Sequence, residues 1–345
     1  NKLEKQGVIT KITNSEWAAP IVVVPKADRS IRLCGDYKVT INKVVENEVY
    51  PLPTAEDIFA TLSGGQVFTK LDLSSAYQQL ELTEASRKYL VINTHQGLYQ
   101  FNRLSFGVSV APNIFQKVMD QVLQGLEGVT CYLDDILIAS KRENHVERVQ
   151  LVLDRLRKYG IRVKRSKCSF NMSSVQYLGH VVCAEGIRPT NDKISAIHAI
   201  TEPKDVQQLR SLLGVVNYYA KFLPNLSSLL APMYNLLRKD APFTWNQDCA
   251  KALSEVKKLL SSDKLLVHYN PDKPLTLACD ASPVGLGCVL SNIIDGIERP
   301  IAYAARSLTS AERHYCQLER EGLAIVFGLA KFHKYVYGRK ITIIK

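Results

Sequence analysis

Apolar positions recur along this chain at two periods, and the changes of period divide it. Through the first half, short apolar runs bounded by turn residues alternate with helical stretches. Ile21–Pro25 and Ile31–Cys34 read as strands around the turn Ala27-Asp28-Arg29-Ser30, and Val67–Leu71 reads as a strand that runs straight into Asp72. Leu3–Gly7 closes a helix at a glycine, Ala55–Thr61 is helical after the breaker Pro51-Leu52-Pro53, and Ala111–Leu126 starts a helix near Pro112. From Pro189 to Leu260 helical spacing takes over in Ile194-Ile197-Ile200, Val206–Gly214 and Cys249–Leu260, punctuated by prolines 203, 224, 232 and 242. Strands return at Leu275–Cys279, Gly285–Leu290 and Ile301–Ala305. A helix is then predicted over Ala311–Val336, and Ile341–Lys345 begins a further strand. The order predicts an α+β body over 1–183, a mostly helical domain over 184–265, and an α/β domain over 266–345.

One apolar run breaks its own pattern. Val129–Ala139 is interrupted by Asp134-Asp135, and adjacent acids are depleted in strands. Both flanks read as strands, so the acids fall where a tight hairpin reverses, presenting two carboxylates on one sheet edge. A polar turn closed by its own Asx hydrogen bonds would explain the pair. So would a divalent cation, which neutralises carboxylates that are otherwise expensive to desolvate. Asp72, about sixty residues earlier, closes an apolar strand in the same manner and is placed to be a sheet neighbour. Three carboxylates on one edge can hold two Mg²⁺ ions, which activate an attacking hydroxyl and neutralise a leaving pyrophosphate.

Composition narrows the setting. With 345 residues, 46% apolar and 22% charged, the chain is of the globular class and too long for one ordinary core. No apolar run approaches bilayer length, and no secretory leader opens the chain, so a membrane is not expected as a partner. The eight cysteines form no close pair, which predicts free thiols in a reducing compartment in place of a zinc site or disulfide framework. The formal net charge of +11 favours an anionic partner, nucleic acid before membrane. Part of the excess lies in Leu151–Lys167, seven Lys or Arg against one Asp, following a helix whose Val146, Val149, Leu153 and Leu156 share a face. A solvated helix face accounts equally well for that run.

Eight motifs in order carry a family resemblance: Trp17-Ala18-Ala19-Pro20, Arg32–Lys38, Tyr50-Pro51-Leu52-Pro53, Leu71–Leu80, Phe106-Gly107 with Ala111-Pro112, Tyr132–Asp135, Tyr177–His180 and Asp280-Ala281-Ser282. The chain resembles the reverse transcriptase of gypsy-type long-terminal-repeat retrotransposons, followed by part of its ribonuclease H. The resemblance implies a right-hand polymerase of fingers, palm and thumb joined to a truncated ribonuclease H-like domain, acting as an RNA-directed DNA polymerase. It makes Asp72, Asp134 and Asp135 the palm metal ligands for two Mg²⁺, with Mn²⁺ able to substitute. It makes Tyr77 a steric gate against the ribose 2′-hydroxyl, Lys26 and Arg32 triphosphate contacts, and Phe106 and Gly107 the lining of the nucleotide pocket. Tyr177, Leu178, Gly179 and His180 match the primer grip, and Lys167 a lysine that protonates pyrophosphate. Asp280 and Glu321 match two of the four ribonuclease H acids, the third being expected just past Lys345, so the hydrolytic half is expected to be incomplete. Ser105 departs from the proline usual before Phe-Gly. Implied partners are an RNA or DNA template–primer duplex, dNTPs, and either a second copy or other parts of a pol polyprotein. The implied setting is intracellular, in cytoplasmic virus-like particles or the nucleus. Two alternatives stay open at this level: a non-catalytic nucleic-acid-binding relic, and an RNA-templated RNA polymerase sharing the palm.

Overall fold

The computed structural model describes residues 2–25, 31–46, 50–238, 241–262 and 265–345. Lys26 and the turn Ala27–Ser30 lie outside the described residues. The chain forms two compact units, Asn1–Ser173 and Ser174–Lys345. Among the described residues no helix is long and apolar enough to cross a membrane.

The strands of the first unit are β1 (Ile9–Ile12), β2 (Ala18–Pro25), β3 (Ile31–Gly35), β4 (Val67–Asp72), β5 (Val91–Thr94), β6 (Gly97–Phe101), β7 (Val129–Tyr132), β8 (Asp135–Ser140) and β9 (Ser169–Met172). They make a five-stranded sheet of order β1-β6-β5-β2-β3 and a four-stranded sheet of order β7-β8-β4-β9. Strand periodicity decides what the second sheet offers. Leu71, Ile136 and Ile138 turn to one face and form a core with Phe115 and Met119 of the helix Ala111–Leu123 and Val152 and Leu156 of the helix His145–Lys158. Each large side chain buried there contributes about 1.5–3 kcal/mol. Lys70, Asp72 and Asp135, one residue out of phase, take the opposite face.

The helix His145–Lys158 turns Val149, Leu153 and Leu156 to the core as its pattern predicts and departs from the expectation at Val146. Its buried residues are His145, Val152 and Leu156, whereas Val146 is 78% exposed. Buried His145 and Val152 are two turns apart on one stripe, and Val146 lies a full 100° step off it.

The second unit opens with β10 (Ser174–Tyr177), β11 (His180–Cys183) and β12 (Gly186–Pro189), a three-stranded antiparallel sheet. The hairpin 174–183, read from sequence with the first domain, thus belongs to the second compact unit. Helices Asn191–Ala199, Val206–Tyr218 and Gln247–Ser261 follow. The chain then builds β13 (Leu275–Ala281), β14 (Gly285–Ile294), β15 (Ile297–Ser307) and β16 (Thr342–Ile344) in the order β15-β14-β13-β16, with β16 parallel to β13. The single helix expected over Ala311–Val336 is three pieces: a 3-10 turn Glu312–His314, the helix Gln317–Lys331 and a short helix His333–Val336. A bidentate Arg306–Glu312 pair pins the first piece. The second restarts at a cap where the Cys316 N–H donates to the Glu319 carboxylate (2.8 Å). All eight cysteines are free, four of them buried.

Candidate active site

The acids of the first unit meet through strand pairing. β4 and β8 run antiparallel with Asp72 opposite Asp135, and β7 pairs with β8 through Tyr132 and Asp135, leaving Leu133 and Asp134 to make the reversal. A two-residue hairpin demands positive φ, and Leu133 adopts it at φ 55°. A leucine in that region carries about 1–2 kcal/mol of strain. Asp72 and Asp135 are held by cations. Lys70 Nζ lies 2.9 Å from Asp135 Oδ2 and Lys167 Nζ 3.1 Å from Asp72 Oδ2. Burial raises the Asp135 carboxyl above its ordinary range, Lys70 pulls it back, and the neighbouring charges of Asp134 and Asp72 add to the rise. Lys167 is shifted upward by its hydrogen bond to Asp72.

Asp72, Asp134 and Asp135 offer carboxylate oxygens, the donors a hard cation takes, at a spot where the Lys70 and Lys167 ammonium groups already balance charge. Among the described residues no three His, Cys, Asp or Glu side chains are grouped so as to hold a metal ion, so the three acids share the hairpin edge without forming a preassembled ligand set.

An aromatic shelf stands beside the acids. Ser75 takes φ 51° and starts the 3-10 turn Ala76–Gln79, which aims Tyr77 at Phe106 (ring centroids 5.0 Å apart) and Phe115 (5.5 Å). Burial raises the Tyr77 phenol, with the Asp134 charge adding to it. The Arg32 guanidinium carbon lies 4.7 Å from the centre of the Phe106 ring. Gly107, at φ 103°, passes so close to β3 that an added Cβ would stand 2.3 Å from the Gly35 carbonyl oxygen. Asn42 secures this loop, donating to the Gly107 carbonyl (2.9 Å) and accepting from the Ser109 N–H (2.9 Å). Ser105 is buried and donates to the Phe106 carbonyl (3.2 Å).

Tyr177–His180 forms the β10–β11 reversal in the second unit, with Leu178 at φ 47° and Gly179 at φ 70°. The Tyr218 hydroxyl donates to the Leu178 carbonyl (2.7 Å), and the Tyr219 hydroxyl to that of Gly179 (3.2 Å). His180 is 1% exposed and packs on Tyr218, Tyr219 and Phe222. Burial, with the Lys221 charge adding to it, pushes His180 down to about 3 against the pull of its bond to the Leu178 carbonyl. His180 therefore stays neutral in the fold while the unfolded chain takes up its proton near pH 6.5. Stability from this residue is complete above that pH and is lost as pH falls through the window from 6.5 to about 3. His268, also pushed down by burial, acts with the same sign. In urea melts between pH 7 and 4, His180→Phe is expected to flatten the loss of stability of the second unit by about 1.4 kcal/mol per pH unit. An unchanged slope would contradict the assignment.

Asp280 stands exposed on β13, and Glu321 lies on the helix Gln317–Lys331. Gln317 links their neighbourhoods, donating to the Ala281 carbonyl (3.2 Å) and to Glu321 Oε1 (2.9 Å). Glu321 also pairs with Lys345, which holds its carboxyl below the usual range, with Gln317 assisting. Among the described residues no third acid joins these two.

Several residues at these sites escape sequence reasoning. Lys70 has a visible signal, a lysine in phase with Asp72 inside an apolar strand. Gln116, Asp120, Tyr218 and Tyr219 have none, because their partners lie far away in sequence.

This geometry is that of a palm sheet carrying an acid pair and a third acid, followed in the chain by a ribonuclease H-like sheet. Residues 24–182 match the family model described as reverse transcriptase (RNA-dependent DNA polymerase). Residues 245–343 match that of an RNase H-like domain found in reverse transcriptase. The transposon Tf2-3 and Tf2-7 polyproteins of Schizosaccharomyces pombe are 35% and 34% identical to this chain over 336 residues, 96% of its length. The chain spans 25% of the length of these relatives. Among solved structures, the foamy viral protease-reverse transcriptase dRH in complex with double-stranded DNA is similar with a TM-score of 0.91 at 26% identity, over 99% of this chain and 60% of that one. The foamy viral enzyme in complex with an RNA/DNA hybrid gives 0.84 at 26% identity, over 99% and 46%. The class these features define is a reverse-transcriptase polymerase with an RNase H-like domain. The chain carries a reverse-transcriptase domain followed by an RNase H-like domain, and along nearly its whole length it is similar to polyproteins of Tf2, a gypsy-type long-terminal-repeat element.

Proposed function

We propose that this chain extends the 3′-hydroxyl of a primer with dNTPs on an RNA or DNA template. The observation that carries the reading is the Asp72–Asp135 register pair with Asp134 at its turn, beside the Arg32–Phe106–Tyr77 shelf. Asp72, Asp134 and Asp135 would hold two Mg²⁺ ions, which when bound supply charge neutralisation at the reacting phosphate and lower the pKa of the attacking hydroxyl. The chain's own groups do the rest. Lys70 opposes the burial that raises the Asp135 carboxyl and so favours its ionised form. Lys167, kept protonated by Asp72, balances the site's charge until phosphate oxygens arrive and can then turn to them. Arg32 presents a guanidinium suited to phosphate from a stacked, pre-set position. Tyr77, packed on Phe106 and Phe115, would close the floor with a ring set against a ribose 2′-hydroxyl. The solved relatives' complexes with double-stranded DNA and RNA/DNA hybrid support a duplex as the partner, as does the net charge of +11.

Primer extension on matched RNA and DNA templates tests the proposal, with dNTPs and Mg²⁺ or Mn²⁺. Extension on both templates is expected, and its absence with a bound duplex would favour the relic reading. Tyr77→Val is expected to admit ribonucleotides, lowering dNTP-over-NTP selectivity by roughly 10²-fold with dNTP incorporation largely kept. Unchanged selectivity would remove the gate role.

A further inference from the structure

The motif Tyr50-Pro51-Leu52-Pro53 marks the family, yet none of the chemistry above uses it. Its tyrosine reaches the catalytic turn through two intermediaries. The Tyr50 hydroxyl donates to Asp120 Oδ2 (2.7 Å). Asp120 Oδ1 accepts from the Gln116 side-chain amide (2.8 Å). That amide nitrogen also donates to the Cys131 carbonyl (2.8 Å), and Gln116 Oε1 accepts the Leu133 N–H (2.8 Å). One fully buried side chain therefore grips the hairpin on both sides of Tyr132, at the residue whose φ of 55° swings Asp134 to the tip.

The relay has a direction. A glutamine amide can be turned end for end, but only one orientation satisfies both backbone groups of the hairpin. Asp120, an acceptor on both oxygens, selects that orientation by demanding an N–H from Gln116. Tyr50 occupies the second oxygen and holds the carboxylate in plane. Its backbone is tied to the same helix, since the Asn113 side chain donates to the Tyr50 carbonyl (3.2 Å). Gln116, the buried member, is costly unless its bonds are complete, while Tyr50 and Asp120 are part-buried and tie it to the surface. Leu133 has no intrinsic preference for its conformation, so the geometry must come from outside the turn.

We propose that Tyr50, Asp120 and Gln116 are positioning residues for polymerisation, a hydrogen-bonded relay that sets the Leu133-Asp134 turn and so the placement of Asp134 against Asp72 and Asp135. The proposal rests on the polymerase reading for its kinetic consequence, but its structural consequence stands apart from it.

Two measurements on the full chain test it. In single-turnover primer extension, Tyr50→Phe and Gln116→Met are expected to lower the maximal incorporation rate about 10- to 100-fold with duplex Kd near that of the unsubstituted chain. The thermal midpoint is expected to hold for Tyr50→Phe and to fall for Gln116→Met, which strips the buried Leu133 N–H and Cys131 carbonyl of their partner. Tyr50→Phe deletes one hydroxyl and keeps the ring, so it remains informative if Gln116→Met folds poorly. In amide hydrogen exchange, Gln116→Met is expected to deprotect the Leu133 N–H selectively within the segment 130–136, and Tyr50→Phe to do so partially. Folded variants with unaltered rates, or with a loss confined to duplex Kd, overturn the positioning role. Unchanged exchange at Leu133 overturns the relay itself. An unsubstituted chain that extends no primer counts against the polymerase reading, and the exchange result then still decides whether the relay holds the turn.

Discussion

Asp134→Asn is expected to reduce primer extension by at least about 10³-fold, the equivalent of roughly 4 kcal/mol of transition-state stabilisation, while leaving the fold intact. Asp134 is the cleanest of the three acids to test. Asp72→Asn would release Lys167, and Asp135→Asn would leave Lys70 half-buried without its carboxylate, so either change disturbs a charge pair as well as a ligand. Asp134 is exposed at the hairpin tip, and its structural contribution is a backbone one, its carbonyl accepting the Leu73 N–H at 2.8 Å. Asparagine keeps that bond and the shape of the side chain. A change in stability within about 0.5 kcal/mol is therefore expected, as for other exposed positions. Duplex affinity should be preserved because it comes mainly from lysine and arginine contacts to phosphate. The check is a rate measurement at saturating dNTP, with duplex binding by anisotropy and a thermal melt alongside. Extension within tenfold of the unsubstituted chain would sink the ligand assignment.

The second large effect concerns stability. Gly107→Ala is expected to destabilise the first unit by about 3–5 kcal/mol, through a clash and an unfavourable φ acting together. The new methyl would lie 2.3 Å from the Gly35 carbonyl oxygen and 3.3 Å from the Tyr37 ring, with backbone on one side unable to yield. Gly125 supplies the control. It also has positive φ, at 81°, but nothing stands within 4 Å of its missing Cβ. Gly125→Ala should then show only the conformational part, about 1 kcal/mol. Chemical denaturation of both variants separates the terms, and equal losses would refute the close-approach argument. The sequence reading makes Gly107 a lining residue of the nucleotide pocket. The structure adds a packing reason for a glycine there, independent of any ligand.

Much of the architecture was legible beforehand because it depends on local pattern. Short, largely apolar runs marked the strands that carry Asp72 and Asp135, and the interruption of Val129–Ala139 marked the reversal between β7 and β8. The helix Ala111–Leu123 announced itself by its proline start and apolar stripe. Where local pattern was ambiguous the reading drifted. The stretch 311–336 has helical composition throughout, yet the Arg306–Glu312 pair and the Cys316 cap divide it. The basic run Leu151–Lys167 is only partly a free charged face. Within it Arg155 donates to the carbonyls of Val122 and Gln124, and just before it Arg148 donates to those of Glu127 and Ala139, so both fasten backbone between the helix Ala111–Leu123 and β8. A charge count cannot separate a capping arginine from one held out to a phosphate.

By itself, then, the sequence determined which residue types stand at the ends of which strands, because strand and helix periods are written in neighbouring residues. From that came the three acids and, with the eight ordered motifs, the family. The tertiary structure alone decided what each acid leans on. The register that sets Asp72 opposite Asp135, the lysines that balance them, and the Gln116 amide gripping Leu133 all join residues far apart in the chain. Such contacts leave no periodic trace, since hydrogen bonds and ion pairs depend on where the folded backbone brings donor and acceptor together.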